Sequence, residues 1–225
     1  MELKQLNDMN YWLYTPEKPG ANKPLVIFLH GAGERGGSPE NVFKISLPLW
    51  LREGKWKPDA YVICPQCREG WDWTSQVERI KAIIDYEAQK LQSDRTRISI
   101  TGLSMGGFGT WAMGLHFPQF FSAMVPICGG GLSWRCVNLK DMPIRAFHGV
   151  KDAVVPVECS VAMAEAVNAA GGHAELTLYP ECPHNCWDKV YGETDVLDWI
   201  VAQKRENPVD SPYFAQSGLE ETVNL

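Results

Sequence analysis

The sequence has no long apolar run: nothing in its 225 residues approaches the roughly 20 consecutive apolar positions that span a bilayer. Residues 1–10 are polar and lack the apolar centre of a secretory leader. The expectation is a cytoplasmic protein with no membrane partner. Positive charge is also short. Lys and Arg number 21 against 27 Asp and Glu, the formal net charge is −6, and the cations are scattered without a basic stripe. That distribution argues against a nucleic-acid partner and against docking on acidic lipid. No internal repeat or low-complexity block occurs. Histidine is scarce, at five residues, and cysteine is odd in number, at seven. An odd set cannot pair completely within one chain, and its spread suits a reduced compartment better than a disulfide scaffold.

What is present is enough apolar material for one well-filled core. Hydrophobic residues make up 45% of the chain, and the length suits one domain better than two. The expected organisation is a domain over residues 1–206, followed by 207–225 as an ordered edge or a loose tail. Short apolar runs rich in β-branched residues occur at 25–29, 61–64, 97–101, 123–127, 144–147 and 174–179. Those at 25–29, 61–64 and 123–127 are continuously apolar, which suits strands of a parallel sheet covered on both faces. The spacing of Val77, Ile80, Ile84, Ala88 and Leu91 predicts a helix over 77–91, with Ser75 and Glu78 placed as a capping box. Further helices are expected at 157–170, closed by Gly171 and Gly172, and from about 194 to 204. Strands alternating with helices predict a doubly wound, mostly parallel α/β sheet with helices on both faces.

Gly102-Leu103-Ser104-Met105-Gly106 is a G-x-S-x-G pattern lying between the strand at 97–101 and a helix-like segment at 108–117. A strand-to-helix turn that sharp strains its central residue and pushes the Ser104 side chain out at the sheet's end. Side chains at 102 and 106 would collide across such a turn. The first strand is followed by the glycine-rich His30-Gly31-Ala32-Gly33-Glu34-Arg35-Gly36. The backbone N–H groups of Ala32 and Met105 are the candidate oxyanion donors, while His30 is read as packing its loop.

The segments LHGAGERG, TGLSMGG, FHGVKDAVVP and YPECPHNCW, in that order, resemble the α/β-hydrolase superfamily over residues 24–199. More narrowly they resemble bacterial carboxylesterases of the phospholipase/carboxylesterase and dienelactone-hydrolase-like groups, including those termed predicted peptidases. The resemblance implies a single-domain α/β-hydrolase fold and a serine carboxylesterase acting on short-chain acyl, aryl or sugar-linked esters, with no cofactor and no metal. A peptidase or amidase, an acyltransferase, and a low-turnover ligand-binding protein on the same scaffold stay open.

A serine hydroxyl needs a neutral base, and a carboxylate that fixes the base's tautomer. In this fold both partners sit in loops after strands, the acid before the histidine. Asp152 follows the strand at 144–147, whereas Asp141 precedes it and Asp188 comes after every candidate base. Of the five histidines, His184 alone follows the last expected strand. His148 precedes the acid, His116 lies a helix beyond Ser104, and His173 precedes a strand. Ser104, Asp152 and His184 are therefore the expected catalytic set.

Cys64-Pro65-Gln66-Cys67 is half of a zinc knuckle without a second half, since Cys182 and Cys186 have the wrong spacing. Those two flank His184 as idle thiols or as a local redox pair. Trp71, Trp73, Trp134 and Trp187 fall on segments expected near the catalytic rim, either as walls of a substrate pocket or as loop packing. The short connection from Gly131 to Pro143 leaves no room for a large lid, so an open cleft is expected.

Overall fold

The structure, a computed structural model, describes residues 1–210. Eight strands form one sheet in the order β1-β2-β4-β3-β5-β6-β7-β8. They are β1 (Glu2–Leu6), β2 (Met9–Tyr14), β3 (Leu25–Leu29), β4 (Tyr61–Pro65), β5 (Ile98–Leu103), β6 (Ala123–Ile127), β7 (Ile144–Gly149) and β8 (Ala174–Tyr179). From β4 to β8 every pairing is parallel; β1 and β2 are antiparallel additions at one edge. The helices are α1 (Ser46–Glu53), α2 (Val77–Lys90), α3 (Met105–His116), α4 (Glu158–Ala169), α5 (Trp187–Glu193) and α6 (Val196–Ala202).

Strands β3 to β6 are buried at every position because apolar clusters cover both faces. Ile27, Ile63 and Ile100 join α2, α3 and α4 on one side; Val26, Val62 and Val125 join α1, α5 and α6 on the other. The expected strands and the three expected helices all form, within a few residues of their bounds. Gly171, at φ +85°, turns the chain just after α4. Among the described residues no helix is long and apolar enough to cross a membrane.

One expectation changes, and the structure adds detail at both ends of the described chain. The polar opening segment forms the β1–β2 hairpin, whose Asn7 and Asp8 both take positive φ, at 50° and 59°. Two such residues make the turn whose twist matches a two-residue hairpin. The hairpin is tied to α2 through the buried Glu87, which accepts from Tyr11 Oη at 2.6 Å and Lys4 Nζ at 2.7 Å. The Ser75–Glu78 capping box does not form, because a 3-10 turn over Trp73–Ser75 comes first and Gln76 stands at the start of α2. Asp72 caps that turn, accepting from the Ser75 N–H at 2.9 Å. Of the expected tail, Val209 N–H donates to Gln119 O at 2.9 Å, and 211–225 lies outside the described residues.

The sheet and α3 meet backbone against backbone. A methyl group on Gly106 would lie 1.9 Å from the Leu29 carbonyl oxygen, and one on Gly102 would lie 2.4 Å from the Gly106 oxygen. Backbone cannot rotate aside as a side chain can. Gly106→Ala is therefore expected to cost about 3 kcal/mol, read as a lower urea midpoint at constant slope. An unchanged midpoint would mean that α3 can back away from β3 freely.

Candidate active site

The C-terminal ends of the parallel strands share one rim, where loops carry side chains without sheet partners. Ser104 stands there between β5 and α3, its backbone at φ 55° and ψ −120°. That left-handed conformation is strained for a residue with a Cβ, and the surrounding glycines make it possible. Ser104 N–H donates to Ile127 O at 2.9 Å, which pins the turn to β6.

Asp152 is held in the loop after β7. Its Oδ1 accepts the N–H groups of Val154 and Val155, both at 2.8 Å, and its side chain is fully buried. His184 lies in the loop after β8. The two loops touch at Gly149, where a methyl group would meet the carbonyl oxygens of Pro183 at 2.3 Å and Cys182 at 2.5 Å. Glycine is what permits that crossing, and the crossing brings the acid's loop onto the histidine's. His184 Nδ1 donates to Asp152 Oδ2 at 2.6 Å, and His184 Nε2 faces Ser104 Oγ at 2.9 Å. Residues 80 and 32 positions apart thus form one continuous chain. The Trp187 ring stands edge-on to the imidazole, 5.2 Å between centroids.

The electrostatics fit a proton acceptor oriented by a carboxylate. His184 is raised above the usual histidine range, first by a hydrogen bond with Cys128, against burial, and then by Asp152. Burial pushes Asp152 upward, but His184 and the N–H groups of Val155 and Val154 outweigh it, and the net is downward. Beneath the site Cys128 Sγ lies 3.3 Å from Cys186 Sγ and 3.1 Å from the His184 carbonyl oxygen. The hydrogen bond from Cys186 draws Cys128 below the usual thiol range. Cys186 therefore meets Cys128 across the rim, and both Cys182 and Cys186 are buried free thiols. Among the described residues, the side-chain donor and acceptor atoms of Cys128, Asp152 and His184 lie within 4.8 Å of one another, with His184 Nδ1 and Asp152 Oδ2 spent on each other. Cys64 and Cys67 belong to different apolar clusters, on opposite faces of the sheet.

Met105 opens α3 and Ala32 opens a 3-10 turn, so each N–H belongs to a turn that leaves its first donors without an internal acceptor. The Ala32 loop runs beside Ser104: a Cβ on Gly31 would lie 3.8 Å from Ser104 Cβ. His30 is fully buried, with Nδ1 donating to Gly31 O at 2.6 Å and Nε2 accepting from Cys67 N–H at 3.0 Å. Burial lowers it to about 4, so it stays a neutral brace.

The cleft at Ser104 has a volume of about 330 Å³ and is lined by Asp72, Thr74, Ser104, Met105, Phe108 and Val155. None of the four tryptophans lines it. Trp73 is fully buried and donates to His30 O at 2.8 Å, so it supports the loop. Trp134 is 77% exposed, turned to solvent rather than inward. Trp71 is half-exposed, and Trp187 is buried against His184. The wall comes instead from their neighbours Asp72 and Thr74 and from α3. A second hollow of about 320 Å³ shares Thr74 and Phe108 with the first and is lined mainly by Val77, Ala112, Leu115 and Leu132, with His116 and Arg135 also in its wall. A larger hollow of about 590 Å³, with Lys23, Asp59 and Asp198 in its wall, opens at the other end of the sheet, away from these groups.

Comparison with known proteins adds a family to this geometry. Residues 68–195 match the phospholipase/carboxylesterase family of α/β-hydrolases. The chain belongs to that family. It is 29% identical over 173 residues to a probable feruloyl esterase C of Aspergillus flavus, covering 75% of this chain and 64% of the relative. It is 27% identical over 202 residues to a putative carboxymethylenebutenolidase of Salmonella typhimurium, covering 80% of this chain and 74% of that one. The crystal structure of a thermostable esterase superposes with a TM-score of 0.77 at 32% identity, over 88% of this chain and 60% of the other. The chain thus spans less than two thirds of the length of the feruloyl esterase and of the thermostable esterase.

Proposed function

We propose that the chain is a serine carboxylesterase that splits small carboxylic esters by acyl transfer. The observation that carries this reading is the bonded series Ser104–His184–Asp152, at 2.9 and 2.6 Å, on the rim of an open cleft. Ser104 Oγ attacks the ester carbonyl while its proton passes to His184 Nε2. The N–H groups of Ala32 and Met105 receive the oxyanion. His184 then gives the proton to the departing alcohol, leaving an acyl-serine. Water attacks that ester, losing its proton to His184, and the acid leaves as Ser104 regains its hydrogen.

The apolar hollow beyond Phe108 and Thr74 suits an acyl group about the size of a substituted aryl ring, and relatives named as feruloyl esterases support that choice. In parallel assays, kcat/KM for methyl ferulate or a nitrophenyl butyrate is expected to exceed that for a twelve-carbon acyl ester, and the matching anilide is expected to be inert. Cleavage of the anilide as fast as the ester would replace the reading with an amidase.

The proposal also fixes a pH dependence. A base must be neutral to act, and His184 is raised, so protonation removes activity earlier than for an ordinary histidine. The acid limb of kcat/KM is expected to have its midpoint above 6.5, falling tenfold per pH unit below it. A rate flat down to pH 4 would contradict His184 as the base.

A further inference from the structure

A second histidine touches the acid. His148, at the end of β7, is fully buried, and its Nε2 lies 3.1 Å from Asp152 Oδ2 and 3.0 Å from Val155 O. Its Nδ1 lies 2.7 Å from Ser160 Oγ on α4, and Ser160 Oγ donates to Gly129 O at 2.8 Å. Ser160 is also fully buried, so no solvent satisfies these groups.

Counting hydrogens along this series leaves little freedom. A serine hydroxyl has one hydrogen, and here it goes to the Gly129 carbonyl, which has none to give. The Ser160 oxygen must then accept from His148 Nδ1–H. On the other side of the ring, Nε2 faces a carboxylate oxygen and a carbonyl oxygen, both acceptors, and must also carry a hydrogen. A neutral imidazole has only one N–H and would leave a lone pair aimed at lone pairs in a dry interior. The titratable groups that face the ring are Asp152 in its own loop and Cys128 from the end of β6. On β8 its neighbour in the sheet is the apolar Leu178. His184 is reached through Asp152.

We infer that His148 is a positioning residue for the proposed reaction: an imidazolium that donates to Asp152 Oδ2 beside His184, locks the carboxylate and shares its charge. The inference rests on the reading of Asp152–His184–Ser104 as the catalytic series. With His148 in place, Asp152 receives four donors, two on each oxygen, and cannot rotate. Its negative charge is also divided between two rings. His184 is thereby kept less basic than a lone carboxylate would make it, and stays a usable base to lower pH.

The test combines a pH profile with a direct view of the ring. His148→Gln keeps a neutral donor and removes the charge. It is expected to lower kcat roughly tenfold with KM little changed, and to move the acid limb of kcat/KM upward by about half to one pH unit. Ser160→Ala, which leaves Ser104, Asp152 and His184 untouched, is expected to move the limb in the same direction by less. It also serves if the glutamine variant fails to fold. In nitrogen-15 NMR of the wild-type protein at pH 7, both His148 ring nitrogens are expected to carry hydrogens. A bare ring nitrogen, or a limb that stays in place or moves down in both variants, would overturn the inference. The NMR reading is repeated in Ser104→Ala, so it stands whether or not the protein turns over esters. Turnover surviving in Ser104→Ala would sink the catalytic reading, with the state of His148 recorded separately.

Discussion

Ser104→Ala is expected to lower kcat/KM for an aryl ester by on the order of 10⁵-fold, with the urea midpoint close to wild type. The size follows from the arrangement. Without Oγ no covalent intermediate forms, and His184 has no hydroxyl proton to take, so Asp152 and His184 stay in place without a reaction to serve. Binding and the N–H donors at Ala32 and Met105 remain, which leaves a residual rate above that in water. The fold should survive, because alanine needs no more room than serine and the Ser104 N–H bond to Ile127 O is kept. Retention of a tenth of the activity in a folded variant would remove Ser104 from the mechanism.

Asp152→Asn is expected to cost about 10⁴-fold in kcat. The Val154 and Val155 N–H groups both point at Oδ1, so the amide oxygen of an asparagine must take that side. Its NH₂ group then faces His184 Nδ1, which in the native protein donates its hydrogen to Oδ2 at an N···O distance of 2.6 Å. Two donors cannot face each other. His184 is driven to the other tautomer, with a hydrogen on Nε2 aimed at Ser104 Oγ, and the lone pair that should take the proton is gone. A loss below tenfold would mean that something other than Asp152 sets the tautomer.

The order Ser104, Asp152, His184 was legible because each residue follows a short run of strand character bounded by turn signals, and strand ends of a parallel sheet converge on one rim. Local turn chemistry was enough for that much. Asn7 and Asp8, flanked by the alternating Met9, Tyr11 and Leu13, carried a readable hairpin signal that the polarity of residues 1–10 obscured. The aromatic wall missed by one residue on each side of Trp73: in the loop it shares with Asp72 and Thr74, alternate side chains turn to core and to cleft. Sequence position alone cannot fix that phase in a loop, as it can in a strand.

Contacts over long separations were less accessible. Cys128 meets Cys186 across 58 positions because β6 ends beneath the His184 loop, and no spacing rule predicts it. His148 precedes the acid and is set aside as the base on that ground. Its place beside Asp152 depends on the turn Gly149–Val150–Lys151 folding the chain back over four residues. Only the three-dimensional path reveals that a residue unfit for one role is built into another.

Covalent labelling tests the central claim most directly. A fluorophosphonate, which needs an activated hydroxyl and a neighbouring base, is incubated with the protein, and the adduct is mapped by peptide mass spectrometry. One adduct is expected, on Ser104, lost in Ser104→Ala and strongly slowed in His184→Ala. Modification of a different residue, or ester hydrolysis that continues with Ser104 unlabelled, would contradict the account.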